Sequence, residues 1–179
     1  MKNDFKIIEM TLKNKKDYDP NQTFMVIGRL IPKYEDNSWT YQEEIYEKPY
    51  ESKYEENEDF DEYIDSEDSV VFLYYVGETC LGHIKLHTIE EIKYASIDKL
   101  FVSNSHRGKG IGTALLNRAK EWAINKGTKG FMLETQDVNL LACRFYLKNG
   151  FVIGSVDNMI YKHSRRYSNE KAVFFYLKF

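Results

Sequence analysis

A chain of 179 residues, 42% hydrophobic and 30% charged, can bury the core of one domain and is short for two. Its 14 Tyr and 11 Phe supply bulky core units, while 3 Pro and 10 Gly exclude a collagen-like, disordered or linker-dominated chain. The formal net charge of −3 is unevenly spread: residues 35–68 hold fifteen Asp or Glu against Lys48 and Lys53, a local −13 that would repel nucleic acid.

In chain order, the first twenty residues break their apolar stretch with Glu9, Lys13 and Lys15, so no signal peptide is expected. Residues 24–31 read as a strand that Pro32 closes, and residues 39–54 as a tyrosine-rich segment with a helical part. Residues 55–68 carry nine acids and no base. This run is either a solvated loop or a field that gathers a cationic small molecule, with Tyr41, Tyr46, Tyr50, Tyr54 and Tyr63 offering ring faces to its amines. Residues 70–76 and 79–86 form a hairpin across Gly77-Glu78, a pair suited to a type II′ turn. A strand over 94–102, a helix over 111–126, a strand over 130–135, a helix over 139–149 and strands over 151–156 and 172–177 follow. In the first helix Ile111, Leu115, Ala119 and Trp122 form one apolar stripe, and Gly127 stops it. With no repeat and no boundary, residues 1–179 read as a single α/β (α+β) domain with a mixed sheet.

Nothing approaches the roughly 18 consecutive apolar residues that a membrane span needs, so a soluble cytoplasmic protein is expected. Cys80 and Cys143 cannot build a disulfide framework and read as free thiols. His83, His87, His106 and His163 are scattered without metal-ligand spacing, so no metal is expected.

The most informative stretch is Arg107-Gly108-Lys109-Gly110-Ile111-Gly112, set between a strand and a helix. Glycines let backbone approach a ligand. The free N–H groups of a first helical turn, backed by the helix dipole, favour an anion such as pyrophosphate, with Arg107 and Lys109 adding charge. The spacing fits neither the Walker loop nor the dinucleotide fingerprint.

This loop resembles the Arg/Gln-x-x-Gly-x-Gly/Ala signature of the GNAT superfamily of N-acetyltransferases, and the order strand, loop, helix, strand, helix with Tyr146 resembles that family over residues 94–151. A narrower resemblance, carried by VIGRLIPKYE (26–35), Trp39-Thr40, YEKPY (46–50), EYID (62–65), LETQD (133–137) and GSVD (154–157), is to streptothricin acetyltransferases. It implies a mostly antiparallel central sheet flanked by helices, acetyl-CoA as co-substrate, and acetylation of an amine on the β-lysine arm of a cationic antibiotic. Acetylation of protein lysines or polyamines, or a non-catalytic acyl-CoA-binding module, stay open, as does a homodimer.

The resemblance implies that Leu100, Phe101 and Val102 pair with the pantetheine arm and that an N–H of Phe101 or Val102 stabilises the oxyanion. Apolar Ile97, followed by Leu100 and Val102, shows the phase slip of a bulge near residues 98–100. Arg107, Gly108, Lys109, Gly110, Ile111, Gly112 and Thr113 would bind pyrophosphate, and Asn139 the pantetheine. Tyr146 would protonate the leaving thiolate. An amine must lose a proton before attack, and Asp98 and Glu134 are the two carboxylates for that task, each with a merely structural alternative. Cys143 reads as a packing residue, with an acetyl-cysteine route as its alternative.

Overall fold

The structure is a computed structural model describing residues 5–18, 22–53 and 60–179. Its elements are β1 (Phe5–Glu9), β2 (Thr23–Glu35), β3 (Ser38–Lys53), β4 (Ser69–Val76), β5 (Thr79–Ile89), β6 (Tyr94–Val102), α1 (Ile111–Asn125), β7 (Gly130–Gln136), α2 (Leu140–Lys148), β8 (Val152–Asp157) and β9 (Ala172–Lys178). The backbone groups into two compact units, one of Met1–Gln22, Glu55–Phe131 and Phe179, the other of Thr23–Tyr54 and Met132–Lys178.

In the first unit β1, β4, β5 and β6 pair antiparallel in that order. All of β4 except Val76 is buried, as expected of a strand covered on both faces. Its odd residues Val71, Leu73 and Tyr75 pack with Met10 and Phe60, while Phe72, on the opposite face, lies under Arg118 of α1. The hairpin has the expected two-residue turn, Val76 opposite Thr79, with Gly77 at φ 59°. Strand β1 had no signal in the sequence, because most of its side chains are exposed and β4 alone holds it.

Helix α1 buries Ile111, Leu115, Leu116, Ala119 and Ala123. Trp122 is only half buried, so Ala123 completes the stripe in its place. The predicted bulge is present: Lys85 faces Lys99 and Leu86 faces Ile97, which leaves Asp98 as the extra residue of β6.

In the second unit β2 and β3 form a long antiparallel ribbon, and β7, β9 and β8 are neighbours in that order. Two expectations fail here. Pro32 does not close its strand, since β2 runs on to Glu35 with Pro32 opposite Tyr41. The Leu30 N–H points away from β3, to Asp137, and Pro32, two residues on, faces the same way, so the ladder with β3 loses no donor there. Nor does the tyrosine-rich segment contain a helix: residues 38–53 are all strand. The two-residue turn at Asp36 and Asn37, with φ 50° and 59°, sets the register, and the β-formers Trp39, Thr40, Tyr41, Ile45 and Tyr46 follow it. Most of the strand's side chains are exposed, with Glu43 paired to Arg144 and Glu51 accepting from Thr23 Oγ1. Gly28 lies at a bulge where an added Cβ would stand 2.1 Å from the Glu44 carbonyl oxygen. Of the acidic segment, Tyr54, Glu55, Glu56, Glu58 and Asp59 lie outside the described residues.

Candidate active site

In the first unit, β6 leads through residues 103–110 into α1. Gly108 and Gly110 have φ 75° and 85°, conformations that side-chain-bearing residues rarely adopt, and a Cβ on either would meet nothing within 4 Å. Gly110 is the N-cap of α1 and has no side chain to cap the N–H groups of Ile111, Gly112 and Thr113. An exposed glycine cradle at the start of a 15-residue helix fits a pyrophosphate. Arg107 turns back along β6, where Nε donates to the Val102 carbonyl at 3.0 Å.

Strand register distinguishes the main-chain N–H groups of Phe101 and Val102. The Ser103 N–H donates to the Leu81 carbonyl at 2.9 Å, so Val102 and Gly82 are a non-hydrogen-bonded pair, and the Val102 N–H and C=O point away from β5. By the same alternation Phe101, opposite His83, directs its N–H to β5. Of the two, Val102 is therefore the one whose N–H is not taken up by β5, beside the Arg107 contact. Leu100 stands opposite the fully buried Ile84.

At the bulge the Asp98 carboxylate gathers three partners. Tyr63 Oη donates to Oδ2 at 2.9 Å, Ser96 Oγ donates to Oδ1 at 3.0 Å, and His87 Nδ1 lies 2.8 Å from Oδ2. The hydrogen bond to Asp98 raises the pKa of His87, against burial and the charge of Lys85. Lys85 Nζ stands 4.3 Å from the Tyr63 ring centroid. The engagement of His87 and Tyr63 with Asp98 escaped sequence reasoning, which reads Tyr63 as a ring face for amines and His87 as a scattered histidine, because the contacts span different elements and no spacing pattern records them.

In the second unit, Glu134 accepts a short hydrogen bond from Tyr161 Oη. The protein around its carboxyl pushes the pKa above the ordinary glutamate value, offset in part by that hydroxyl. Asn139 caps α2, with Oδ1 accepting the Ala142 N–H at 3.3 Å. Tyr146 is buried, its ring packed with Phe145, Phe151 and Phe175 at centroid distances of 5.4, 5.4 and 5.9 Å. Cys143 is fully buried, and desolvation pushes its thiol up to about 12, so it stays protonated and unreactive at neutral pH. The packing reading holds. Arg29 of β2 pairs with Asp137 at 3.0 Å, and the Leu30 N–H donates to the Asp137 carbonyl at 2.8 Å, tying the ribbon to the end of β7.

Comparison with known proteins bears on this arrangement. Residues 36–151 match the model of the acetyltransferase (GNAT) family. The chain is 45% identical over 174 residues to streptothricin acetyltransferase A of Bacillus subtilis (strain 168), covering 97% of this chain and 99% of that one. It is 37% identical over 128 residues to a streptothricin acetyltransferase of Escherichia coli, covering 72% and 70%. Among solved structures, a candidate streptothricin acetyltransferase from Bacillus anthracis str. Ames in complex with acetyl coenzyme A matches with TM-score 0.91 and 31% identity, over 98% of this chain and 100% of that one. A nourseothricin acetyltransferase shares the fold, with TM-score 0.81 at 19% identity over 97% and 98%. The mixed, mostly antiparallel sheet with two helices is common to them.

Proposed function

Since the chain belongs to the GNAT family of acetyltransferases, we propose that it moves acetyl from acetyl-CoA to an amine on the β-lysine arm of streptothricin and so confers resistance. The observation that carries this reading is the 45% identity to a streptothricin acetyltransferase along 97% of the chain, well beyond the acetyl-CoA-binding core. Residues 1–179 would act as one acetyltransferase domain in the cytoplasm. Among the described residues no helix is long and apolar enough to cross a membrane.

Bound acetyl-CoA supplies an activated thioester to the attacking amine. The N–H groups of Ile111, Gly112 and Thr113 hold its pyrophosphate in the cradle of Gly108 and Gly110, with Arg107 and Lys109 lending charge. Leu100, Phe101 and Val102 present main chain to the pantetheine arm, Asn139 adds a side-chain contact, and the Val102 N–H stabilises negative charge on the reacting carbonyl. Glu134 is our choice of proton acceptor, because its raised pKa makes it the stronger base and it holds one hydrogen-bond partner, Tyr161, where Asp98 holds Tyr63, Ser96 and His87. Tyr146 donates a proton to the departing thiolate.

A second reading, acetylation of polyamines or protein lysines, draws on the local −13 of residues 35–68, which suits any polycation. Thiol release from acetyl-CoA, measured with streptothricin, spermidine and a lysine peptide, separates the two. Fast turnover confined to streptothricin supports the first reading; no turnover with any acceptor leaves a non-catalytic acyl-CoA-binding module.

A further inference from the structure

Glu170 lies just before β9, in a backbone pinned on both sides. The Asn169 carbonyl accepts Arg29 Nη2 at 2.8 Å. The Lys171 N–H donates to Asp137 Oδ1 at 3.0 Å, and the Lys171 carbonyl accepts the Asp137 N–H at 2.9 Å. The Glu170 N–H itself donates to the Tyr167 carbonyl at 2.9 Å. So rigid a setting aims the side chain, yet its Oε2 is shut off from solvent and has no hydrogen-bond partner. Arg29 lends it charge but no hydrogen bond: its Nη2 is shared by Asp137, whose side chain is 2% exposed, and the Asn169 carbonyl, and its buried Nε is unmet as well. Gln136, itself buried, carries a second unmet acceptor, Oε1, one residue before Asp137.

Buried acceptors left unmet cost free energy, and one held in place at a binding surface is a ready partner for a donor that a ligand brings. The unmet atom here is a carboxylate oxygen, so the complementary ligand is a cation with N–H donors. We propose that Glu170 is the carboxylate that receives an ammonium group of the substrate, which makes it a specificity-determining residue for the acetyl transfer. This rests on the antibiotic-acetylating reading above. The groups around the carboxyl set a second consequence. Burial and the charges of Asp137 and Glu134 push its pKa up to about 7, while Arg29 and Arg166 oppose them and Tyr50 of β3 also faces it. An arriving ammonium favours the ionised form, so binding near neutral pH expels a proton and tightens as pH rises through that range.

Glu170→Gln keeps the shape and removes the charge. The expected result is a KM for streptothricin raised about 10- to 100-fold, the range of a charge-assisted hydrogen bond, with the KM for acetyl-CoA unchanged. Calorimetry of wild-type protein with streptothricin at pH 7, in two buffers of different ionisation enthalpy, should show proton release that the variant lacks. Wild-type kinetics in the folded variant, or wild-type binding without proton release, overturns the proposal while leaving streptothricin acetylation standing. A wild-type protein that does not acetylate streptothricin overturns both.

Discussion

Asp98, the residue that β6 carries in excess of β5, places Oδ2 2.8 Å from Nδ1 of His87. This pairing raises the folded-state pKa of His87 above its ordinary 6.5. A raised histidine pKa contributes stability that is complete below the unfolded value and disappears as pH climbs through the folded one. His87→Gln should therefore lower Tm most near pH 6, with the gap to wild type narrowing into the alkaline range. Thermal melts across that range check it, and a gap independent of pH would show that the pair carries no linked charge.

The glycine cradle makes a sharper claim about the co-substrate. A methyl group at Gly110 meets open space but sits at φ 85°, so Gly110→Ala strains the turn by roughly 1–3 kcal/mol and crowds the path to the N–H groups of the first helical turn. Acetyl-CoA affinity should fall about tenfold or more while the circular dichroism spectrum is retained. Unchanged affinity by calorimetry in a folded variant would remove the cradle from the binding site.

Tyr146→Phe preserves the ring packing against Phe145, Phe151 and Phe175 and deletes only the hydroxyl. Turnover should drop about 10²- to 10⁴-fold with little change in the KM for acetyl-CoA, as for loss of a general acid. Wild-type kcat under conditions where chemistry limits the rate would dismiss Tyr146 as the proton donor.

Cys143→Ala tests direct transfer against an acetyl-cysteine route. The thiol is pushed up to about 12, so the variant should keep its kcat and lose only packing, about 1–2 kcal/mol of stability. A collapse of turnover with the fold intact would restore the covalent route.

The legible parts of the sequence were those encoded locally. The Gly77-Glu78 turn, the α1 stripe, the glycine loop and the phase slip at Asp98 each rest on a few neighbouring residues, and each appears in the structure. The ribbon read only in part: residues 24–31 were legible as a strand, but its extension past Pro32 and the whole partner strand were not, because their register is fixed by the Asp36-Asn37 turn and by cross-strand pairing. At the site, Asp98 and Glu134 were visible as isolated acids; the phenols and imidazole that engage them lie 11 to 35 residues away and meet them only in the fold. Glu170 was illegible for the same reason: its distinction is an unmet oxygen, a property of its surroundings and not of its spacing.

Mass spectrometry of streptothricin incubated with the protein and acetyl-CoA, run beside a thiol-release assay, tests the central claim most directly. Acetylation of the antibiotic on its β-lysine arm, matched one for one by released thiol, is the predicted result. Unmodified streptothricin under conditions where spermidine or a lysine peptide is acetylated would contradict it.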